Sequence, residues 1–200
     1  MTDRIVSLLL LAAIAGGCTR PAESVPADLP RMIAVLPPGN QTGDPLLVSG
    51  ASFLERYALH TDRVTVPDVL ATEARLQLER RGFTAVPADT VEAATEGRVP
   101  GGTESAVAIA RHGGLAGLVL WIDVRRWEPD APTLPTFVIV GLTAELIDST
   151  SGLVRWRAER RPAPVATPGV VNIGEAYVNA ANKVMAELLA PLGPEQPPRR

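Results

Sequence analysis

The apolar run Met32-Ile33-Ala34-Val35-Leu36 ends abruptly at Pro37-Pro38. A run this short, bounded by turn formers, predicts a buried central strand. The polar stretch Gly39 to Pro45 then predicts a loop at its C-terminal end. Leu46 to Arg63 has no clear period and could be a short helix or an ordered loop. Val66, Leu70, Ala74 and Leu78 recur at steps of four, one apolar stripe of a helix over Val66 to Arg81. Pro67 suits its first turn, Asp68 its positive end, and Arg80 and Arg81 its negative end. Gly82 is the expected stop. Phe83 to Val86 reads as a short strand, Asp89 to Gly97 as a second helix, and Glu104 to Arg111 as a third, stopped by Gly113-Gly114. Long strands follow at Leu115 to Trp127 and Phe137 to Asp148, with a proline-bearing connection between them. A turn at Asp148 to Gly152 leads into a returning strand, Leu153 to Arg160. The last helix spans Ile173 to Leu189, with Ile173, Tyr177, Ala181, Val184 and Leu188 on one face.

Strands separated by helices imply parallel pairing, and the late hairpin implies antiparallel pairing. The expected fold is α/β, a mixed parallel and antiparallel sheet with helices packed against it.

Alternation along Leu115 to Trp127 divides the strand in two. Leu118, Leu120, Ile122 and Val124 form an apolar set. Val119, Trp121, Asp123, Arg125 and Trp127 form an amphipathic one. On the returning strand Arg155, Arg157 and Glu159 oppose Val154, Trp156 and Ala158. An open sheet face carrying Trp121, Asp123, Arg125, Trp127, Arg155 and Arg157 is a candidate partner surface, because Trp and Arg are enriched in binding hot spots. The alternative is that the tryptophans pack under helices or tails while the charges solvate an outer face.

The N-terminus reads as an address. Arg4 and the amino terminus precede an apolar core, Ile5 to Ala15, too short to span a bilayer. Ala15-Gly16-Gly17-Cys18 then resembles a bacterial lipobox, although Ala15 replaces the commoner leucine. The resemblance implies cleavage before Cys18, diacylation of its thiol and acylation of its new amine. The alternatives are an ordinary signal peptide with a chance cysteine, or a buried free cysteine. Thr19, where aspartate is absent, implies outer-membrane delivery under enterobacterial-type sorting. Multiple acyl chains give stable anchoring. The expected organisation is a signal peptide at 1–17, a lipidated tether at 18–30, one α/β domain at 31–192 and a tail at 193–200.

Composition removes several functions. At 46% hydrophobic, the chain is globular rather than disordered. A net charge of -3 lacks the basic surface a nucleic-acid partner needs. With Cys18 the only cysteine, no internal disulfide, Cys-rich zinc site or redox pair can form. His60 and His112 are scattered, and nucleophile-elbow, zincin and phosphate-loop motifs are missing. No catalytic residue, metal site or cofactor is expected. The loop residues Asn40, Thr42 and Asp44 are a possible small-ligand site, since its backbone amides could face an anion, but the loop holds no Lys or Arg.

Five stretches together resemble a bacterial envelope group. They are the lipobox ending in Cys18, VLPPGNQTGD, RRGFTAVPADTVEAA, GLVLWIDVRRWE and VGLTAELIDSTSGLVRWRAER. The group includes CsgG-like secretion lipoproteins, LpoB-like activators of penicillin-binding proteins and the N-terminal domain of TolB. Small lipoproteins related to a neisserial vaccine-candidate antigen are nearest in layout. The resemblance implies a mixed sheet, no catalytic site and work by protein–protein contact in the periplasm. Pore formation of the CsgG type is disfavoured, because Glu128 to Thr136 is too short to supply barrel strands.

The leading expectation is therefore a non-enzymatic outer-membrane lipoprotein, its domain facing the periplasm, serving envelope transport or cell-wall synthesis through an unknown envelope protein. One alternative is a homo-oligomeric subunit of a secretion or transport complex. The other is an enzyme or small-ligand binder at the Asn40 to Asp44 loop.

Overall fold

A computed structural model describes residues 29–48 and 64–194. The signal sequence, Cys18, the tether as far as residue 28, most of Leu46 to Arg63 and the end of the tail lie outside the described residues.

The order of elements is β1 (Met32–Val35), β2 (Gly39–Asn40), β3 (Leu47–Val48), β4 (Val64–Thr65), α1 (Val66–Arg80), β5 (Thr84–Ala85), α2 (Ala88–Thr95), α3 (Thr103–His112), β6 (Leu118–Pro129), β7 (Phe137–Asp148), β8 (Val154–Ala166) and α4 (Ile173–Leu189), closed by a 3-10 turn at Ala190–Leu192. The main sheet runs β5-β1-β6-β7-β8, with β2 also beside β6. β1 pairs in parallel with both β5 and β6, whereas β6, β7 and β8 form an antiparallel meander. β3 and β4 make a separate two-stranded sheet. The expected mixed α/β fold is what the chain adopts.

Local chemistry explains the helix limits. Thr65 caps α1 with a capping box: its hydroxyl accepts from Asp68 N, and the Asp68 carboxylate accepts from Thr65 N at 2.8 Å. Gly82 leaves α1 with φ +80°, a left-handed conformation that favours glycine. Asn172 caps α4, its Oδ1 accepting from Glu175 N at 2.8 Å.

The sheet separates two cores, and β1 shows why. Ile33 and Val35 point to one side, Ala34 and Leu36 to the other, and all four are buried. The larger core gathers the α1 stripe, the α4 face, Leu118, Leu120, Ile122 and Val124 of β6, and Trp156 of β8. Each fully buried aliphatic side chain there stabilises the fold by about 1.5–3 kcal/mol. Polar ties cross it at the rim. Arg81 donates from Nη2 to Ala186 O at 3.0 Å, and Asn182 donates to Glu73 Oε2 at 3.0 Å, joining α1 to α4. The smaller core lies under α2 and α3 and includes Val91, Ala106, Val107, Ala110, Val119, Trp121 and Ile147.

β8 runs well past Arg160, where the sequence predicts its end. It continues through Pro162 and Pro164 to Ala166. β8 is an edge strand, a position where a sheet tolerates proline. The same prolines, with Arg157, Glu159 and Arg161, discourage a further strand from adding there.

Candidate functional site

The candidate partner surface divides when the strand is followed residue by residue. The register of β6 against β7 shifts between Val124 and Arg126, so Arg125 is an extra residue in a β-bulge. Beyond it the alternation inverts. Trp127 therefore joins the larger core with Val124, while Trp121 lies in the smaller core on the opposite face. Both are buried, at 5% exposure for Trp121 and 2% for Trp127. Trp127 meets Tyr177 of α4 edge-on, with ring centroids 6.1 Å apart. The expected single face with two exposed tryptophans is corrected accordingly: unbroken alternation does not survive a bulge. The alternative, tryptophans packed under helices, is the arrangement found.

What remains on that face is polar. Two cross-strand rows traverse it, Trp121–Glu145–Arg157 and Asp123–Thr143–Glu159. α2 and α3 cover only the Trp121 end. Asp123, Thr143 and Glu145 are nonetheless buried, with Gly39 close to Asp123 and Thr103 bonded to Glu145. Thr103 donates from Oγ1 to Glu145 Oε2 at 2.8 Å, and Arg157 pairs with the other carboxylate oxygen. A Cβ at Gly39 would stand 3.0 Å from Asp123 Oδ1, so a larger residue would push on the Asp123 carboxylate. Asp123 Oδ2 lies 3.4 Å from Nε of Arg125, a half-exposed side chain. Asp123 Oδ1 and Trp121 Nε1 are buried without a hydrogen-bond partner among the described residues. Arg125, Arg126, Glu128, Arg157 and Glu159 reach solvent. Arg155 is half-buried near the turn, where its charge helps hold the Asp148 carboxyl below the usual carboxylate range. The backbone amides of Ser151 and Thr150 contribute more to that lowering.

The loop after β1 satisfies itself. Asn40 donates from Nδ2 to Asp44 O at 2.7 Å, and its Oδ1 accepts from Thr42 N and Thr42 Oγ1. Asp44 Oδ1 accepts from Leu46 N at 2.8 Å. The side chains of Asn40, Thr42 and Asp44 thus hydrogen-bond across the turn itself. β2 extends this exit, with Gly39 opposite Asp123 and Asn40 opposite Val124 in parallel register.

A cleft of about 700 Å³ opens beside the loop, with Asn40 on its rim. Its walls are Val35, Pro37 and Pro38 from the end of β1, the first half of α1, the α2 face with Val91 and Thr95, and Gly97 to Val99. Asp68, Thr72 and Arg75 line it from one side of α1, three to four residues apart. Burial of Arg75 lowers its pKa from the ordinary arginine value, and Glu79 acts against that lowering. A ligand site at the Asn40 to Asp44 loop is among the alternatives the sequence offers, but no motif marks Arg75, because four separate segments build the cleft.

Among the described residues no three His, Cys, Asp or Glu side chains cluster as metal ligands. His112 is exposed at the end of α3, and His60 lies outside the described residues.

No protein-family profile and no curated sequence matches the chain. Solved structures do. The PelC dodecamer from Paraburkholderia phytofirmans aligns over 88% of this chain and 96% of its own, at 21% identity and a TM-score of 0.52. The chain shares the fold of PelC. Lipoprotein GNA1162 from Neisseria meningitidis aligns over 72% of this chain and 87% of its own, at 23% identity and TM-score 0.40. The LpoB C-terminal domain from Salmonella enterica aligns over 68% and 83%, at 19% identity and TM-score 0.37. A neisserial lipoprotein and LpoB, two names from the group that the sequence resembles, are thus among the solved structures that align.

Proposed function

We propose that this chain is a lipid-anchored, non-enzymatic accessory protein of the bacterial outer membrane, working in the periplasm through protein contacts. The observation that carries the reading is the junction of a lipobox at Ala15 to Cys18 with a domain whose fold recurs in PelC. In this reading the acyl groups on Cys18 hold the protein to the membrane, and the proline-bearing segment Thr19 to Pro30 spaces the domain from it. The polar face of β6 to β8 is the contact surface. Arg125, Arg126 and Arg157 stand there among Glu128 and Glu159, a mixed pattern that favours orientation and partner choice over raw affinity. Membrane fractionation tests the anchor. Cys18→Ala releases the domain to the soluble fraction, and a variant still bound to membranes refutes lipid anchoring.

A second reading, self-assembly, is favoured by one finding: PelC, which has this fold, is a dodecamer. A self-complementary mixture of charges suits contacts between copies of one chain. The blunted edge of β8 argues that such copies meet through faces rather than by adding strands. Native mass spectrometry of the full chain tests this. A strict monomer at all concentrations rejects it.

A further inference from the structure

The cleft at the end of β1 plays no part in anchoring or in the polar face. It sits where the topology reverses. β1 connects through α1 on one face to β5, and the chain then returns through α2 and α3 on the opposite face to β6, on the other side of β1. The crevice beyond the carboxyl end of such a strand is where open α/β sheets bind ligands. Its volume, about 700 Å³, falls in the usual range of ~300–1,000 Å³ for small-molecule sites.

The lining decides the ligand chemistry. Among the described residues Arg75 supplies its only cation, beside two carboxylates, Asp68 and Glu92. Asp68 is engaged: its Oδ2 accepts from Thr65 N at 2.8 Å and Thr65 Oγ1 at 2.7 Å. Glu92 is exposed on α2. Arg75 is half-buried, and its guanidinium makes no hydrogen bond to any described residue. Its Nε is buried and unpaired. Glu79 offsets part of its charge, but a desolvated guanidinium with no hydrogen-bond partner among the described residues is a donor set in want of an acceptor. Pro37, Pro38, Pro67 and Val91 supply apolar wall beside it.

We infer that this cleft binds a small organic carboxylate, its anion paired with Arg75 and its apolar body laid against Pro37, Pro38 and Pro67. A carboxylate fits the planar fork of one guanidinium. A phosphate or other multiply charged anion is disfavoured, because no second cation among the described residues lines the cleft and two carboxylates would repel it. The proposal is independent of any protein partner or membrane anchor, so its test stands apart from theirs.

The experiment titrates the full chain, carried in nanodiscs, with 3-phenylpropionate and follows backbone amides by TROSY NMR. Saturable shifts are expected at Ala71, Thr72, Thr95 and Gly97. 2-Phenylethylamine, of similar shape and opposite charge, produces none. Arg75→Gln weakens 3-phenylpropionate binding about tenfold or more, while Glu92→Gln tightens it by removing a like charge. Ala88→Trp, at an exposed position on the cleft wall, blocks binding with the fold intact. The inference is overturned by the absence of saturable shifts, by equal binding of the amine, or by binding that survives both Arg75→Gln and Ala88→Trp.

Discussion

Arg157 and Glu145 form an ion pair whose halves live in different surroundings. The Glu145 side chain is 5% exposed and that of Arg157 is 52% exposed. Removing each partner should therefore have unequal consequences. Arg157→Ala strands a buried carboxylate with one remaining hydrogen bond, from Thr103. Breaking a fully buried pair costs about 3–5 kcal/mol, and an exposed pair contributes ~0–1 kcal/mol. Here one end is wet, and a buried acceptor losing a partner costs about 1–3 kcal/mol. The expected destabilisation by Arg157→Ala is thus about 1–3 kcal/mol. Glu145→Leu removes the buried charge itself. Arg157 then turns fully to water, and the half-buried Thr103 hydroxyl loses one acceptor, at a cost of about 1 kcal/mol or less. Adding Glu145→Leu to Arg157→Ala should restore part of the lost stability, since no charge is left stranded. Urea denaturation followed by circular dichroism measures all three variants, with unchanged m-values confirming a like-for-like comparison. If Glu145→Leu costs as much as or more than Arg157→Ala, the burial asymmetry is wrong. A loss of partner binding in Arg157→Ala should accordingly be read against its stability before it is assigned to contact.

Two further outcomes follow from the same packing. Trp127→Ala should destabilise the domain by about 3–5 kcal/mol, as for large aromatic truncations in a core, and a cost below ~1 kcal/mol by urea denaturation would return Trp127 to the surface. Asp148 is held below the usual carboxylate pKa by the amides of Ser151 and Thr150. Its stabilising effect is therefore present above the unfolded-state pKa and lost as pH falls through the lower folded-state value. Asp148→Asn should be less stable than the parent at neutral pH, with the gap shrinking in acid. A pH-independent gap in thermal melts contradicts this.

Much of the fold was legible because its signals are local. α1 declares itself by period and end signals, α4 by period, and β7 by its apolar start, Phe137 to Val140, and the turn that follows Asp148. β8 was read too short, since Pro162 and Pro164 look like terminators until the strand is known to lie at an edge. The tryptophans were misplaced for a subtler reason. A bulge adds one residue without leaving a mark in the hydrophobic pattern, yet it sends Trp127 to the face opposite Trp121. The loop at Asn40 to Asp44 was recognised, but its polar groups bind one another, which residue type alone does not reveal. A ligand site at this end of β1 is one of the alternatives the sequence offers, but the walls of the cleft beside it are not legible. They depend on where helices on opposite faces leave a gap, and in sequence Arg75 is one arginine among several.

The central claim is that the polar face of β6 to β8 works by touching another protein. Photocrosslinking in cells tests it most directly, with a benzophenone amino acid placed in turn at Arg125, Arg126 and Glu159, all exposed on that sheet. A discrete adduct with one envelope protein, or with a second copy of the chain, is the predicted result. A protein that remains an uncrosslinked monomer from all three positions, while correctly folded and delivered, contradicts the claim.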